Sequence, residues 1–174
     1  MRTELTVAFA IVASSSPALA ERYYPVRQDS DSISMADVDS VSRHDDIATV
    51  WSFMILKTSV PLGDGVSVDA NAKDKRMAAL GSRWRVNCPQ EAVMIDSAVA
   101  YNPHGAYLLE LPDSMRMSWR TAPPGTSWRA VLDVACNGAG SKDAVKAPAD
   151  MAPLQFIIES MQDGMKTGKL TMPK

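Results

Sequence analysis

The chain has 174 residues, with 18 Lys and Arg against 20 Asp and Glu, which leaves a formal net charge of −2. Hydrophobic residues make up 46% and charged residues 22% of the sequence, as in ordinary soluble globular domains. This near-neutral balance argues against a nucleic-acid-binding surface and against a polybasic membrane patch. Composition also excludes collagen-like, coiled-coil and disulfide-dense classes, and the length predicts one domain of typical size.

The N-terminal segment, residues 1–20, has the pattern of a secretory signal peptide. Arg2 precedes an apolar run, and the small residues Ala18 and Ala20 form the A-x-A sequence that signal peptidase recognises. We therefore expect cleavage after Ala20 and export of residues 21–174 to the periplasm or the extracellular space. The alternative is a short N-terminal core helix, which is disfavoured because the segment is too short to span a bilayer and lacks amphipathic charge.

The expected cleavage site also bears on membrane attachment. A bacterial lipoprotein carries Cys as its first mature residue, whereas that residue here is Glu21. We therefore expect no lipid anchor. We also expect no membrane span, because no later stretch approaches the roughly 20 apolar residues of a spanning helix.

Export determines the expected redox state of the two cysteines. In an oxidising compartment an even count favours one disulfide, which here joins Cys88 to Cys136. Two free buried thiols or a metal-binding pair are the alternatives. A bridge that closes the loop of residues 88–136 contributes on the order of 4 kcal/mol to the free energy of unfolding in the chain-entropy model.

Most of the chain after the leader alternates between apolar and polar residues as β-strands do. The sequence predicts strands over residues 23–27, 32–39, 48–57, 82–88, 93–101, 106–111 and 115–120. The third strand is apolar on both faces, which indicates a central strand covered on both sides. On the fourth, Trp84, Val86 and Cys88 share one face. Arg83 and Arg85 lie on the opposite face.

Two further strands carry patterns with consequences for the core and for metal binding. Alternation in the fifth strand predicts one shared side for Val93, Ile95, Val99 and Tyr101. In the last strand Met115, Met117 and Trp119 fall in phase, and thioethers can bind Cu(I). A β-strand core face has the same pattern, and Met is a common core gap-filler. We therefore predict no metal site here.

Helical spacing begins after the Pro-Pro-Gly sequence at residues 123–125. Thr126 or Ser127 can cap this helix, and its apolar face is predicted to contain Trp128, Val131, Leu132, Ala135 and Cys136. A bridge to Cys88 would therefore pin the helix across the sheet. A polar linker follows, and then a second helix that opens at Pro153 and ends near Gly164 or Gly168. We expect this helix to dock on the sheet rather than to form a mobile tail.

The sequence does not predict an enzyme. His44 and His104 are the chain's two histidines, and both are predicted to lie in solvated polar turns. No G-x-S-x-G motif occurs. The aspartates between residues 37 and 46 lack the spacing of an EF-hand loop. We therefore expect a non-catalytic protein that uses neither a cofactor nor a metal.

In their order along the chain, these features resemble the surface-adhesin protein E-like family of bacterial exported proteins. The matching motifs span residues 23–136 and are Tyr23-Tyr24-Pro25-Val26, Asp37-Val38-Asp39-Ser40-Val41, Val50-Trp51, Arg85-Val86-Asn87-Cys88, Tyr101-Asn102-Pro103-His104-Gly105, and Pro124-Gly125-Thr126 followed by a helix and Cys136. Two features depart from the family pattern. Ala36 replaces an aromatic residue, and residues 137–174 extend past the family's usual end.

The strand pattern and the resemblance agree on an α+β fold. They predict a curved antiparallel sheet of about six strands, with a disulfide-tethered helix packed on one face and an additional C-terminal helix. The predicted organisation is a signal peptide over residues 1–20, a sheet-and-helix domain over 21–136, and a linker with a helical extension over 137–174.

The resemblance implies a non-catalytic exported domain that binds a protein, a host matrix protein such as vitronectin or laminin if the chain is an adhesin. The alternative is a soluble periplasmic envelope or inhibitor-type module. Arg83 and Arg85 are candidate partner-binding residues, although a solvated outer sheet face is the simpler explanation for them. The sequence does not identify the partner, and it leaves a homodimer open.

Overall fold

The structure is a computed structural model, and it describes residues 22–63, 66–148 and 150–170. The predicted signal peptide lies outside the described residues. The elements in chain order are β1 (Arg22–Gln28), β2 (Ser32–His44), β3 (Ile47–Pro61), β4 (Arg76–Asn87), β5 (Ala92–Tyr101), β6 (Tyr107–Glu110), a 3-10 helix (Asp113–Met115), β7 (Met117–Thr121), α1 (Ser127–Asn137), β8 (Val145–Lys146) and α2 (Pro153–Thr167).

A single antiparallel sheet contains all the described strands. Seven of them follow the order β6-β5-β4-β3-β2-β1-β8. The remaining strand, β7, pairs with the same edge of β5 as β6 does, along the first part of β5, which β6 does not reach. The predicted α+β fold is confirmed, and β3 is central as its two apolar faces indicated. The sheet exceeds the expected size of about six strands because short strands, among them the two-residue β8, extend its edges.

The two helices lie on opposite faces of the sheet. Side chains alternate along a strand, so neighbouring residues of β3 enter different cores. Ala48 and Val50 pack in the cluster that α1 completes, whereas Phe53 and Ile55 pack in the cluster that α2 completes. The helices are therefore offset along β3, with α1 over its first half and α2 over its second half.

Helix α1 has a defined cap at each end. Its N-cap is Thr126, whose side-chain oxygen accepts a hydrogen bond from the backbone N–H of Arg129 at 3.2 Å. It ends at Gly138, which takes the left-handed conformation with φ 67°. Between the caps, the face that contacts the sheet buries Val131, Leu132, Val134 and Ala135.

Two contacts attach the end of α1 to the sheet. The predicted disulfide between Cys88 and Cys136 is present, and it joins the end of β4 to the last turn of α1. The guanidinium of Arg43 donates hydrogen bonds to the carbonyl oxygens of Ala135 at 2.9 Å and Cys136 at 2.6 Å. Arg43 thus satisfies carbonyl groups that the end of a helix leaves unpaired.

Helix α2 docks on the sheet, as its apolar spacing predicted. Leu154, Ile157 and Ile158 are fully buried against β1, β2 and β3, and Gln162 Nε2 donates a hydrogen bond to the carbonyl oxygen of Leu56 at 2.8 Å. The helix ends at Gly168, one of the two predicted end points. Its residues lie beyond the expected domain end at 136, yet they share one core with the strands.

Two predictions for the fifth and last strands are wrong. A register irregularity interrupts the side-chain pattern of the fifth strand, and a 3-10 helix replaces the start of the last one. A register shift around Asp96 puts Val93 and Ile95 in the α1 cluster, whereas Tyr101 packs in the α2 cluster. Met115 belongs to the 3-10 helix rather than to a strand, and β7 begins only at Met117. Met115 is therefore not part of the strand that the sequence predicts over residues 115–120.

Candidate functional site

The packing of the sheet leaves one region of its surface without a covering element. On the face that contacts α1, the other end of the sheet is covered by a third cluster, in which Ala72 and Leu62 from the β3–β4 connection pack near Ala100 and Leu108. On the opposite face, α2 covers the second half of β3. The first half of β3 on that face, with the neighbouring parts of β4 and β5, is covered by no helix or loop of the described residues.

We call this region the open sheet face and define it by Thr49, Trp51, Arg83, Arg85, Met94 and Asp96. The strand register makes these residues neighbours: Thr49 pairs with Arg85, which pairs with Met94. In the next row Trp51 pairs with Arg83. Both arginines are exposed, and the residues beside them are partly buried.

Trp51 lies at the border between the open sheet face and the α2 core. Its ring stacks on Phe53, with ring centroids 6.3 Å apart and an interplanar angle of 18°. Because Phe53 is itself buried, this contact holds the indole in place while part of it faces solvent. A tryptophan held in place with part of its ring in solvent is the kind of side chain that anchors protein interfaces.

The two candidate arginines have different electrostatic environments. Asp96 accepts two hydrogen bonds from Arg83, at 2.8 Å and 3.1 Å, and these bonds raise the pKa of the guanidinium above its ordinary value. Arg85, by contrast, has no ion pair or side-chain hydrogen bond with any described residue. The charge of Arg83 is thus largely compensated within the chain, whereas that of Arg85 is available to a ligand.

A shallow cavity of about 350 Å³ adjoins Arg85 at the β2–β3 turn. Its lining residues are Ser42, His44, Asp45, Asp46, Ile47, Thr49 and Arg85. His44 Nε2 lies 3.6 Å from an Asp45 carboxylate oxygen, and both side chains are almost fully exposed. The cavity therefore extends the open sheet face with groups that can donate and accept hydrogen bonds.

The second histidine lies elsewhere. His104 is exposed in the β5–β6 turn, where its backbone N–H donates to the side chain of the buried Asn102 at 2.9 Å. In the part of the chain that the structure describes, no group of three or more His, Cys, Asp or Glu side chains could hold a metal ion. The residues gathered at the open sheet face are suited to recognising a surface through charge, aromatic contact and hydrogen bonds.

Sequence analysis identified Arg83 and Arg85 but not the other members of this face. Thr49 and Met94 carry no local signal, because their exposure depends on how far α2 reaches along the sheet. Trp51 lies in phase with Phe53 and Ile55 on β3, and the structure places all three on one face, with Trp51 beyond the edge of α2. Its partial exposure follows from tertiary packing alone.

Among the described residues, no helix is long and apolar enough to cross a membrane. The sequence model of the family described as Surface-adhesin protein E matches residues 23–137. No curated protein matches the chain.

The chain is also similar to solved structures of protein E from Haemophilus influenzae. Crystal form II of that protein is 14% identical, with a TM-score of 0.45, and the match covers 78% of this chain and 99% of that chain. A structure from a non-typeable strain is 12% identical, with a TM-score of 0.44, and the match covers 95% of this chain and 99% of that chain.

Proposed function

The chain belongs to the surface-adhesin protein E family, and from that premise we propose that it is a non-catalytic exported protein that binds a protein partner through its open sheet face. In this proposal the leader is cleaved after Ala20. The partner is a host matrix protein if the chain acts at the cell surface.

The observation that carries the proposal is the composition of the uncovered region. Protein interfaces are enriched in aromatic residues, Met and Arg and depleted in Lys and Asp. The open sheet face presents Trp51, Met94, Arg83 and Arg85 together, and its one acidic residue, Asp96, is paired with Arg83. Lysine is absent from it. A solvated outer face with no binding role has no need of a partly exposed tryptophan one row from an arginine without a carboxylate partner.

A second candidate is a periplasmic envelope or inhibitor-type module. It is favoured by Glu21, because the expected first mature residue lacks the thiol that a lipid anchor would need to hold the protein at the surface. Both candidates use the same binding face and differ in where the partner is found.

Reversal of one charge on the open sheet face tests the proposal. We expect Arg85→Glu to weaken partner binding by about tenfold or more, because an interfacial arginine becomes a like charge for the carboxylate it met. Purified residues 21–174 are passed over immobilised vitronectin, immobilised laminin and a solubilised native envelope fraction. Retention on a matrix protein supports the adhesin, and retention on the envelope fraction supports the periplasmic module.

Lys166→Glu is the matched control, since it makes the same charge change at an exposed position of α2. It should bind as the natural sequence does. Equal binding by the Arg85→Glu and Lys166→Glu proteins would contradict a role for the open sheet face, and so would the absence of retention on all three surfaces.

A further inference from the structure

Strand β7 forms an edge of the sheet that differs from the other edges. No backbone hydrogen bond joins β7 to a described residue outside β5. By contrast, the edge of β6 is covered, since the backbone N–H of Asp69 donates to the carbonyl oxygen of Leu108 at 2.7 Å. The opposite edge of the sheet is occupied by β8, which pairs with the start of β1.

The sequence of β7 contains no lysine, proline or acidic residue, and its one charged side chain is that of Arg120. Because charged side chains at an edge discourage the addition of a further strand unless they are matched, Arg120 selects for an added strand of opposite charge. Four of the five are exposed, and Trp119 retains 41% of its surface. A register shift leaves Ser118 and Trp119 opposite Met94, so β7 continues the row that contains Arg85.

The ion pairs of the described arginines point to the charge of what binds there. Most of these arginines contact a carboxylate of the chain, and Arg43 contacts carbonyl oxygens instead. Arg85 and Arg120 have no ion pair or side-chain hydrogen bond with any described residue. Arg120 lies on β7 itself, opposite Val93, and Arg85 lies two strands inward. Arg120 lies on the face of Val93, which packs in the α1 cluster, whereas Arg85 lies on the open sheet face, so the charge of a strand added to β7 is argued from Arg120.

We propose that an extended, acidic segment of a partner protein adds to β7 as a further strand, with a carboxylate of that segment facing Arg120. Main-chain hydrogen bonds supply affinity in this mode of recognition, and alternate side chains supply specificity. The added strand lies beside Trp119 and continues the open sheet face. The inference therefore rests on the proposed function and adds to it the conformation and charge of the partner.

Capped synthetic peptides of alternating valine and glutamate serve as the probe, and peptides with lysine in place of glutamate serve as the control. We expect the glutamate peptide to slow amide hydrogen exchange at residues 118–121 and to bind about fivefold more tightly than the lysine peptide, as for a cross-strand charge pair. Arg120→Glu should reverse that preference, which a merely structural role of Arg120 would not do. Thermal unfolding of the variant verifies that it is folded.

A third peptide, methylated on alternate backbone nitrogens, separates strand addition from simple charge attraction. It keeps the carboxylates but cannot form the ladder, so we expect its binding to be lost. The inference is overturned if exchange at β7 does not change, if all peptides bind alike, or if sedimentation shows that β7 is protected by a second copy of the chain. Arg85→Glu tests the open sheet face independently, so the proposed function can stand when strand addition fails.

Discussion

Removal of α2, by ending the chain at residue 147, is expected to abolish the folded state of this protein. The truncation would expose the face of β1, β2 and β3 that Leu154, Ile157 and Ile158 cover, all three of which are fully buried. Each such side chain contributes about 1.5–3 kcal/mol by burial, and Met161 and Met165 add to them. The sum is comparable with the whole free energy of unfolding of an ordinary domain, about 5–15 kcal/mol.

Circular dichroism and urea unfolding of the truncated and full-length proteins measure this effect. Ile157→Ala removes only one of these buried side chains. We expect it to lower the free energy of unfolding by about 2–5 kcal/mol because of the cavity it creates. Lys166→Ala, on the exposed side of the same helix, should cost almost nothing. A truncated protein that unfolds at the same urea concentration as the full chain would show that the chain up to residue 147 folds independently and that α2 is a dispensable extension.

Loss of the disulfide is expected to have the second largest effect. The bridge between Cys88 and Cys136 closes a separation of 48 residues, and the chain-entropy model assigns such a loop on the order of 4 kcal/mol. Without it, α1 is held to the sheet by its buried face, by Arg43 and by the ion pair of Arg129 with Glu91. The double variant Cys88→Ser with Cys136→Ser should therefore unfold at a clearly lower urea concentration.

Reduction of the natural protein with dithiothreitol is the internal comparison, since it should lower the unfolding midpoint to that of the double variant. The double variant itself should not respond to the reductant. Thiol titration of the denatured, unreduced protein should find no free thiol. Two titratable thiols, or a reductant that leaves the midpoint unchanged, would contradict the stabilising role of the bridge.

Local sequence patterns predicted those parts of the fold that local physics determines. The helical spacing from Val131 to Cys136 and from Leu154 to Met165 identified both buried helix faces. The two apolar faces of β3 identified the central strand. The register shift at Asp96 was missed, because a bulge depends on how one strand pairs with its neighbour and leaves no trace in simple alternation.

The candidate site was predicted only in part for a related reason. Arg83 and Arg85 were identified by their position opposite Trp84, which is a local property of one strand. The difference between their electrostatic environments depends on tertiary contacts. Asp96 compensates the charge of Arg83, and no described residue does so for Arg85. The extent of the open sheet face depends on how far α2 reaches along β3, which no single segment encodes.

Site-specific photo-crosslinking in native cells tests most directly whether the open sheet face contacts a protein. A photoreactive residue is placed at Thr49 or Arg85 on this face, and at Asp163 or Lys166 on the exposed side of α2. If this face binds a partner, we expect the photoreactive residue at Thr49 or at Arg85 to give an adduct with the same protein, and the residue at Asp163 or Lys166 to give none. Adducts of equal yield from the α2 positions, or no adduct from either position on the open sheet face, would contradict such binding.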